Sequence, residues 1–294
     1  MSTPLAFAVA ALASFAATWI ARRLAARTGF TDDPAAAPDR KRQERPVPAV
    51  GGIAILAGLA VTRALPVPAW IGVGLAFLVG AIDDLRKGGL SPAALLFGQL
   101  VVASALVASG WRICGGTPIL AAGASALAVV VAINAWNTFD NADGAATLLG
   151  MVGLGARSPL LAAPLAGFLP WNLVESGGTR PAAYLGNSGS FAVGVLLVLD
   201  PVGRYALLLP LLDLARLAFV RVFAGSRPWI GDRRHLAHRL QARGLAPLPV
   251  ALVLTALAAP AVIGARLGGE SALFASFATA ALFVVAVLFT PSVE

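Results

Sequence analysis

Residues 119–144 read ILAAGASALAVVVAINAWNTFDNADG, an apolar run of about 119–136 that passes directly into Asn137, Asp140, Asn141 and Asp143. At about 1.5 Å per residue, such a run approaches the ~30 Å hydrocarbon core of a bilayer. In lipid the backbone must satisfy its own hydrogen bonds, so a single run of this kind can only be a helix. Ten further apolar segments share this character, and the eleven lie at about 4–21, 50–65, 69–82, 93–110, 119–136, 144–156, 159–170, 189–203, 205–221, 248–265 and 271–289. The alternating short strands of a membrane barrel are absent. The expectation is an all-α fold: a polytopic transmembrane bundle of about 10–11 helices forming one domain over residues 1–294, with a cleft at its cytoplasmic face. Ala and Gly abound in the segments, which suits close helix contact.

Composition agrees. The chain is 58% hydrophobic and 12% charged, with a mean hydropathy of +0.82, against about 25% charged in soluble domains. Its N-terminal run has no basic lead-in and reads as a retained helix rather than a cleavable signal. The lone Cys114 excludes an intramolecular disulfide and reads as a small apolar filler. Net charge +8 reads as loop topology and attraction to anionic lipids or substrates rather than nucleic-acid binding. With the N-terminus outside, sixteen of the 22 Lys and Arg residues fall on one side and Arg63, Arg112, Arg157, Arg204 and Arg266 on the other, with Arg216 inside a segment. The richer side is then cytoplasmic. The polar clusters fall there too. The stretch between Gly144 and Asn172 must cross and return within 27 residues, so a tilted or half-depth hairpin is expected.

Asp83 and Asp84 end an apolar segment. Adjacent carboxylates repel unless a cation compensates, and Arg86 and Lys87 could do so as an ordinary surface network. Asn134, Asn137, Asp140 and Asp143 recur in steps of three, which lines them along one side of a helix end. Their oxygens suit Mg²⁺, while interhelical hydrogen bonding by Asn is the plainer reading. Tyr184-Leu185-Gly186-Asn187-Ser188-Gly189-Ser190 opens a helix in a way that suits phosphate or metal contact, or a simple cap. The loop from Arg227 to Arg243 gathers arginines and both histidines, His235 and His238. Guanidinium groups bind phosphates bidentately, although a positive loop touching headgroups would look the same.

In their order these motifs resemble the polyprenyl-phosphate N-acetylhexosamine-1-phosphate transferases. The likeness runs from Asp33-Pro34, Arg40-Lys41, Pro46-Val47-Pro48 and Gly51-Gly52-Ile53-Ala54-Ile55 through Asp83-Asp84, Leu90-Ser91-Pro92, Gln99 and Asn134–Gly144. It continues with Gly167–Asn172, Gly186–Ser190, Asp213 and Asp232–Leu240. The resemblance implies transfer of a sugar 1-phosphate from a UDP-N-acetylhexosamine, UDP-GlcNAc first, to a polyprenyl phosphate. UMP is released with Mg²⁺, or Mn²⁺ in its place. It implies a plasma-membrane enzyme of envelope polysaccharide synthesis that contacts membrane lipids, binds no nucleic acid and is compatible with a homodimer. Carried over to this chain, Asp83, Asp84 and Asp140 are catalytic. Asn137 and Asn187 are metal ligands, and Lys41, Asn134, Asp143, Asn172, Arg233, Arg234, His235 and His238 bind substrate. The chain departs from the pattern at Asn187, where the family usually has Asp. This keeps open an impaired homologue that binds without turnover. A transporter is the other rival, against which the polar residues gather at one face rather than at the midplane.

Overall fold

The computed structural model describes residues 2–32, 46–86, 88–173, 181–225 and 234–292. Lys41 and Arg233 lie outside the described residues, as do Arg40, Arg227 and Asp232. The described chain forms α1 (Thr3–Thr28), α2 (Gly51–Thr62), α3 (Val67–Leu85), α4 (Pro92–Ala108), α5 (Pro118–Phe139), α6 (Ala145–Gly155), α7 (Pro159–Leu173) and α8 (Gly186–Leu199). A 3₁₀ turn (Gly203–Leu207) leads into α9 (Leu208–Phe223), α10 (Leu236–Ala242), α11 (Pro247–Leu267) and α12 (Glu270–Phe289). α1, α3, α5, α11 and α12 are long and apolar enough to cross a membrane, and the protein is a multi-pass helical membrane protein.

α8 is the hub. Every side chain from Ser188 to Val198 is buried, as expected of a helix that is apolar all round. α2, α3, α5, α6 and the 3₁₀ turn pack against it. The closest approach is at its first turn, where a Cβ on Gly80 of α3 would run into the backbone of Asn187, and one on Gly52 of α2 would meet the Ser188 side chain. The small residues let backbones nearly touch, which replaces the hydrophobic drive that lipid cannot supply. α1 follows the same rule. Its buried residues are Ala6, Ala10, Ser14, Thr18, Ala21 and Ala25, a stripe of small side chains facing α2 and α7. Ser14 Oγ donates to the Pro164 carbonyl across that interface at 2.7 Å. At the periphery α12 turns Leu273, Phe274, Phe277, Leu288 and Phe289 outward.

Among the described residues the eleven apolar segments each form an α-helix, as expected, and a further short one is α10, in the basic loop, whose Leu236, Ala237 and Leu240 face inward. Its apolar face is too short to register as a segment. Cys114 is exposed rather than a buried filler. Several helices outrun their apolar segments, and Asp83, Asp84 and Asn137 ride on the helix ends. The hairpin of α6 and α7 is short as expected, with 11 and 15 residues, or about 16 and 22 Å. α6 is shielded by α7 and α11 and buries most of its length.

The α3–α8 contact makes a paired prediction. Gly80→Ala forces the two backbones apart and costs about 1–3 kcal/mol. Gly74→Ala, on the same helix with open space around it, instead gains up to about 1 kcal/mol of helix propensity. Thermal unfolding in detergent, followed by tryptophan fluorescence, should separate the two variants in opposite directions; coincident midpoints contradict the close approach.

Candidate active site

The last turn of α3 meets the first turn of α8. Asp84 Oδ1 accepts from the backbone N–H of Asn187 and its Oδ2 from that of Ser188, both at 2.9 Å. The residue before α8, Leu185, offers no side-chain cap, so α3 supplies across the interface the carboxylate that helix N-termini favour. Gly186 takes φ +72, a left-handed turn that glycine adopts without strain and that brings the chain into α8 beneath Asp84.

Asp83, one residue earlier, starts a chain of side-chain hydrogen bonds. Its Oδ1 accepts from the backbone N–H of Leu90 at 2.5 Å, and its Oδ2 accepts from the Asn187 amide. Asn187 Oδ1 accepts in turn from Asn137 Nδ2 at 2.6 Å, and that amide also donates to Ser190 Oγ at 3.0 Å. Three helices (α3, α5 and α8) thus place Asp83, Asn187, Asn137 and Ser190 side by side. Ser190 was not singled out from the sequence. It sits one helical step from Asn187 in the quoted motif, and that spacing is the signal that could have found it.

The three-residue row on α5 divides. Asn134 faces α4, where it forms a reciprocal amide pair with Gln99 at 2.6 and 3.3 Å, while Asn137 faces α8. The helix stops at Phe139, and Asp140 (φ −75, ψ 50) leaves helical geometry. The row therefore does not present four side chains to one ligand. Burial, with the charges of Asp143 and Asp84 beside it, pushes the Asp140 carboxyl up to about 8. Tyr184, a further residue that sequence reasoning passed over, has its phenol pushed up by burial and by Asp143, Asp32 and Asp140, so it stays protonated as a donor among carboxylates. Asn172 is buried and fully engaged. Its Oδ1 accepts from Gly144 N–H at 3.1 Å and Thr147 Oγ1 at 2.7 Å, and its Nδ2 donates to the Ala183 carbonyl at 3.1 Å. It holds the Asp143–Gly144 turn to the strand-like segment that leads into α8.

A second network holds the histidine loop. Asp213 on α9 accepts from Arg216 through Oδ1 at 2.8 Å. Its Oδ2 meets His235 Nδ1 at 3.1 Å and the N–H of Leu236 at 3.3 Å. Arg216 also donates to the Arg234 carbonyl at 2.5 Å. His235 is buried; His238 Nδ1 lies 3.0 Å from Gln241 Oε1, with the two imidazole centroids 6.0 Å apart. Asp213 has a place in the motif order but no role assigned from it; the structure shows it seating α10. Two of the loop's arginines serve the fold. Arg239 donates to the carbonyls of Val287, Thr290 and Pro291, and Arg243 to that of Phe289, closing the C-terminal end of α12.

Among the described residues no three His, Cys, Asp or Glu side chains converge as a metal site. Hard oxygen donors do converge once amides are counted, because Asp83, Asn187 and Asn137 lie within hydrogen-bond reach in sequence. Which end of each amide faces its neighbour follows from the network and reverses by a half-turn. The donor set fits a magnesium-type ion.

No family model matches the sequence. Curated proteins do. The undecaprenyl-phosphate alpha-N-acetylglucosaminyl 1-phosphate transferase of Yersinia pestis is 26% identical over 98% of this chain and 90% of its own. Its namesake from Escherichia coli K12 is 25% identical over 82% of this chain and 77% of its own. The decaprenyl-phosphate N-acetylglucosaminephosphotransferase of Mycobacterium tuberculosis is 29% identical over 83% and 77%. Fold and likeness together define a multi-pass helical membrane protein that resembles membrane phosphotransferases along most of its length. The chain is a homologue of the polyprenyl-phosphate N-acetylglucosamine-1-phosphate transferases.

The raised Asp140 group sets a pH dependence. Its folded state keeps the proton to about 8, whereas an unfolded Asp releases it near ~3.9. Folding therefore takes up a proton between those values, and this contribution to stability declines as pH rises from about 4 to 8. Without divalent ions, the unfolding midpoint of Asp140→Asn should fall less than that of the wild type between pH 5 and pH 8. Parallel curves would place Asp140 in water.

Proposed function

We propose that the protein transfers N-acetylglucosamine 1-phosphate from UDP-GlcNAc to a polyprenyl phosphate, releasing UMP, at the cytoplasmic face of the plasma membrane. The observation that carries this reading is the Asp83–Asn187–Asn137 chain at the junction of α3, α5 and α8, in a homologue of enzymes whose names specify that acceptor and sugar phosphate. The orientation rests on charge. The site end of the bundle carries the arginine-rich side of the chain, and Arg157, paired with Asp200 at 3.3 Å, and Arg204, directed at the Ile113 carbonyl, mark the opposite end.

In the reaction an oxygen of the lipid phosphate bonds to the sugar-bearing phosphorus of UDP-GlcNAc. The bond from that phosphorus to the bridging oxygen breaks, and UMP departs with the bridging oxygen. Both partners are anions, so positioning and charge compensation dominate the barrier. Asp83, fixed by Leu90 and Asn187, takes the proton when the lipid phosphate arrives as a monoanion. Asp84 holds the α8 N-terminus beneath it. Asn137, Asn187 and Asp140 would hold Mg²⁺, or Mn²⁺ in its place, and the ion would neutralise charge building on the leaving phosphate. His235 is anchored through Nδ1 to Asp213, which leaves Nε2 for the diphosphate, with Arg233, Arg234, His238 and Lys41 adding positive charge. Asp143 and Asn172 shape the nucleotide side.

One observation favours a second reading, in which the protein binds nucleotide sugar without turnover. Asn187 spends its amide on Asp83, and this neutral contact is complete without an ion. Release of UMP from UDP-GlcNAc and a polyprenyl phosphate in detergent decides between the two. The enzyme reading expects turnover that Asp83→Asn lowers by about 10²–10⁴ while nucleotide-sugar binding persists. Binding without UMP release at every Mg²⁺ and Mn²⁺ concentration supports the second.

Asn187→Asp tests the ion directly. It sets two carboxylates at hydrogen-bond distance, which repel until a cation joins them. The variant should unfold at a lower temperature than wild type in EDTA and gain more from added Mg²⁺. Identical Mg²⁺ responses would remove Asn187 from the ion's surroundings.

A further inference from the structure

α10 is seven residues long, about 10 Å or two turns, and it carries His238 between two other helices. At its entry Asp213 of α9 accepts from the N–H of Leu236 at 3.3 Å and meets His235 Nδ1 at 3.1 Å. At its exit the partner is α12. A helix C-terminus leaves its last carbonyls without partners inside the helix, and its dipole favours a cation there. Arg239 donates through Nη2 to the carbonyls of Val287 at 2.7 Å and Thr290 at 2.6 Å, and through Nε to that of Pro291 at 2.9 Å. Arg243, one turn on, donates to the carbonyl of Phe289. α12 is otherwise a peripheral helix that buries only Thr279 and Phe283. No member of the Asp83–Asn187–Asn137 chain or of the Asp213 network lies on it.

The contacts with α12 fix something that the apolar face of α10 cannot. Leu236, Ala237 and Leu240 lay one side of the helix on the core, which sets its depth but lets it roll. Arg239 and Arg243, four residues apart, form a second stripe. Arg239 follows His238 directly, so its side chain leaves the helix about 100° round from the imidazole. Three carbonyls at the end of α12 therefore set the roll of α10, and with it the bearing of His238. The contact of His238 Nδ1 with Gln241 Oε1 at 3.0 Å lies within α10 and turns with it. A roll of ~20° at a side-chain radius of ~5 Å swings a side chain by ~2 Å, and a misplacement of ~1 Å can cost about 10²-fold in rate.

We propose that Arg239 is a positioning residue: seated on the end of α12, it aims His238 at the diphosphate of the nucleotide sugar. The assignment rests on His238 facing that diphosphate, as in the proposed transfer. A guanidinium suits the task because its planar fork meets several carbonyls at once, where an ammonium is a single point of charge. α12, remote from the reacting groups, thereby becomes part of the support of the site. A guanidinium that merely closed α12 would leave substrate affinity untouched.

Calorimetry of UDP-GlcNAc binding to the full chain in detergent tests this, with Arg239→Gln, His238→Ala and the double variant. Each single substitution should weaken binding about ten-fold, and the double variant should bind no more weakly than His238→Ala, because residues that act through one another do not add. Arg239→Lys, which keeps the charge and loses the fork, should lose about three-fold, and it carries the same cycle if Arg239→Gln does not fold. Unchanged affinity in both Arg239 variants overturns the proposal, as does unchanged affinity in His238→Ala. A double variant weakened about a hundred-fold, the product of the two losses, marks independent contributions and overturns it as well. Binding is read with or without UMP release, so a wild type that binds without turnover removes the transferase reading and leaves this cycle intact. A wild type that does not bind UDP-GlcNAc overturns both.

Discussion

A helix buried on all sides in a membrane protein has a problem at its first turn, where several backbone N–H groups have no partner within the helix. Away from water each orphan costs several kcal/mol. α8 meets this with a carboxylate from another helix, since Asp84 accepts from the first N–H groups through both its oxygens. The remaining geometry follows from that contact. α3 must come close enough to deliver the carboxylate, which Gly80 permits, and α2 must stay out of the way, which Gly52 permits. Once α3 is docked, Asp83 falls opposite Asn187 without any further device. The polar site is therefore a consequence of how a buried helix is capped.

The chemistry is tempered by neutrality. Four acidic residues, Asp83, Asp84, Asp140 and Asp143, lie at this end of the bundle, and Asp140 holds its proton into the neutral range. Asn187 and Asn137 add oxygens without charge. Such a cluster can stand without an ion, because its amides bridge the carboxylate and the serine. The histidine loop is built on a different principle. Its seat on α9 uses a full charge pair, Asp213 with Arg216, and its outer arginines close the end of α12. Positive side chains that look interchangeable in the sequence are therefore not so, and Arg216, Arg239 and Arg243 hold the fold.

Much of the bundle could be read in advance because lipid leaves a chain few options. Apolar runs between polar boundaries found the helices, and the order of the Asp83-Asp84, Asn134–Asp143 and Gly186–Ser190 motifs pointed to the right relatives. Two things could not be read. One was direction: steps of three on α5 place Asn134 and Asn137 near each other, but only the neighbouring helices decide that the first turns to α4 and the second to α8. The other was scale. α10 buries three residues over seven and leaves no periodic trace, although it carries His238 and follows His235. Asn172 enters the sequence reading only through the family resemblance, and the structure adds its hydrogen bonds to Gly144, Thr147 and Ala183. Tyr184 and Ser190 stand in quoted motifs and gain a part only from their neighbours, Asp143 beside Tyr184 ahead of α8 and Asn137 against Ser190 in its first turns.

The Gln99–Asn134 pair stands apart from these networks and carries an evolutionary consequence. Each amide gives and receives between α4 and α5, and exposed Asn134 donates to the Val130 carbonyl as well. Truncating Asn134 strands the polar atoms of buried Gln99, while replacing both with hydrocarbon of similar shape is nearly neutral. Selection should therefore treat the two positions as one character, and descendants of this lineage should lose or keep both amides together.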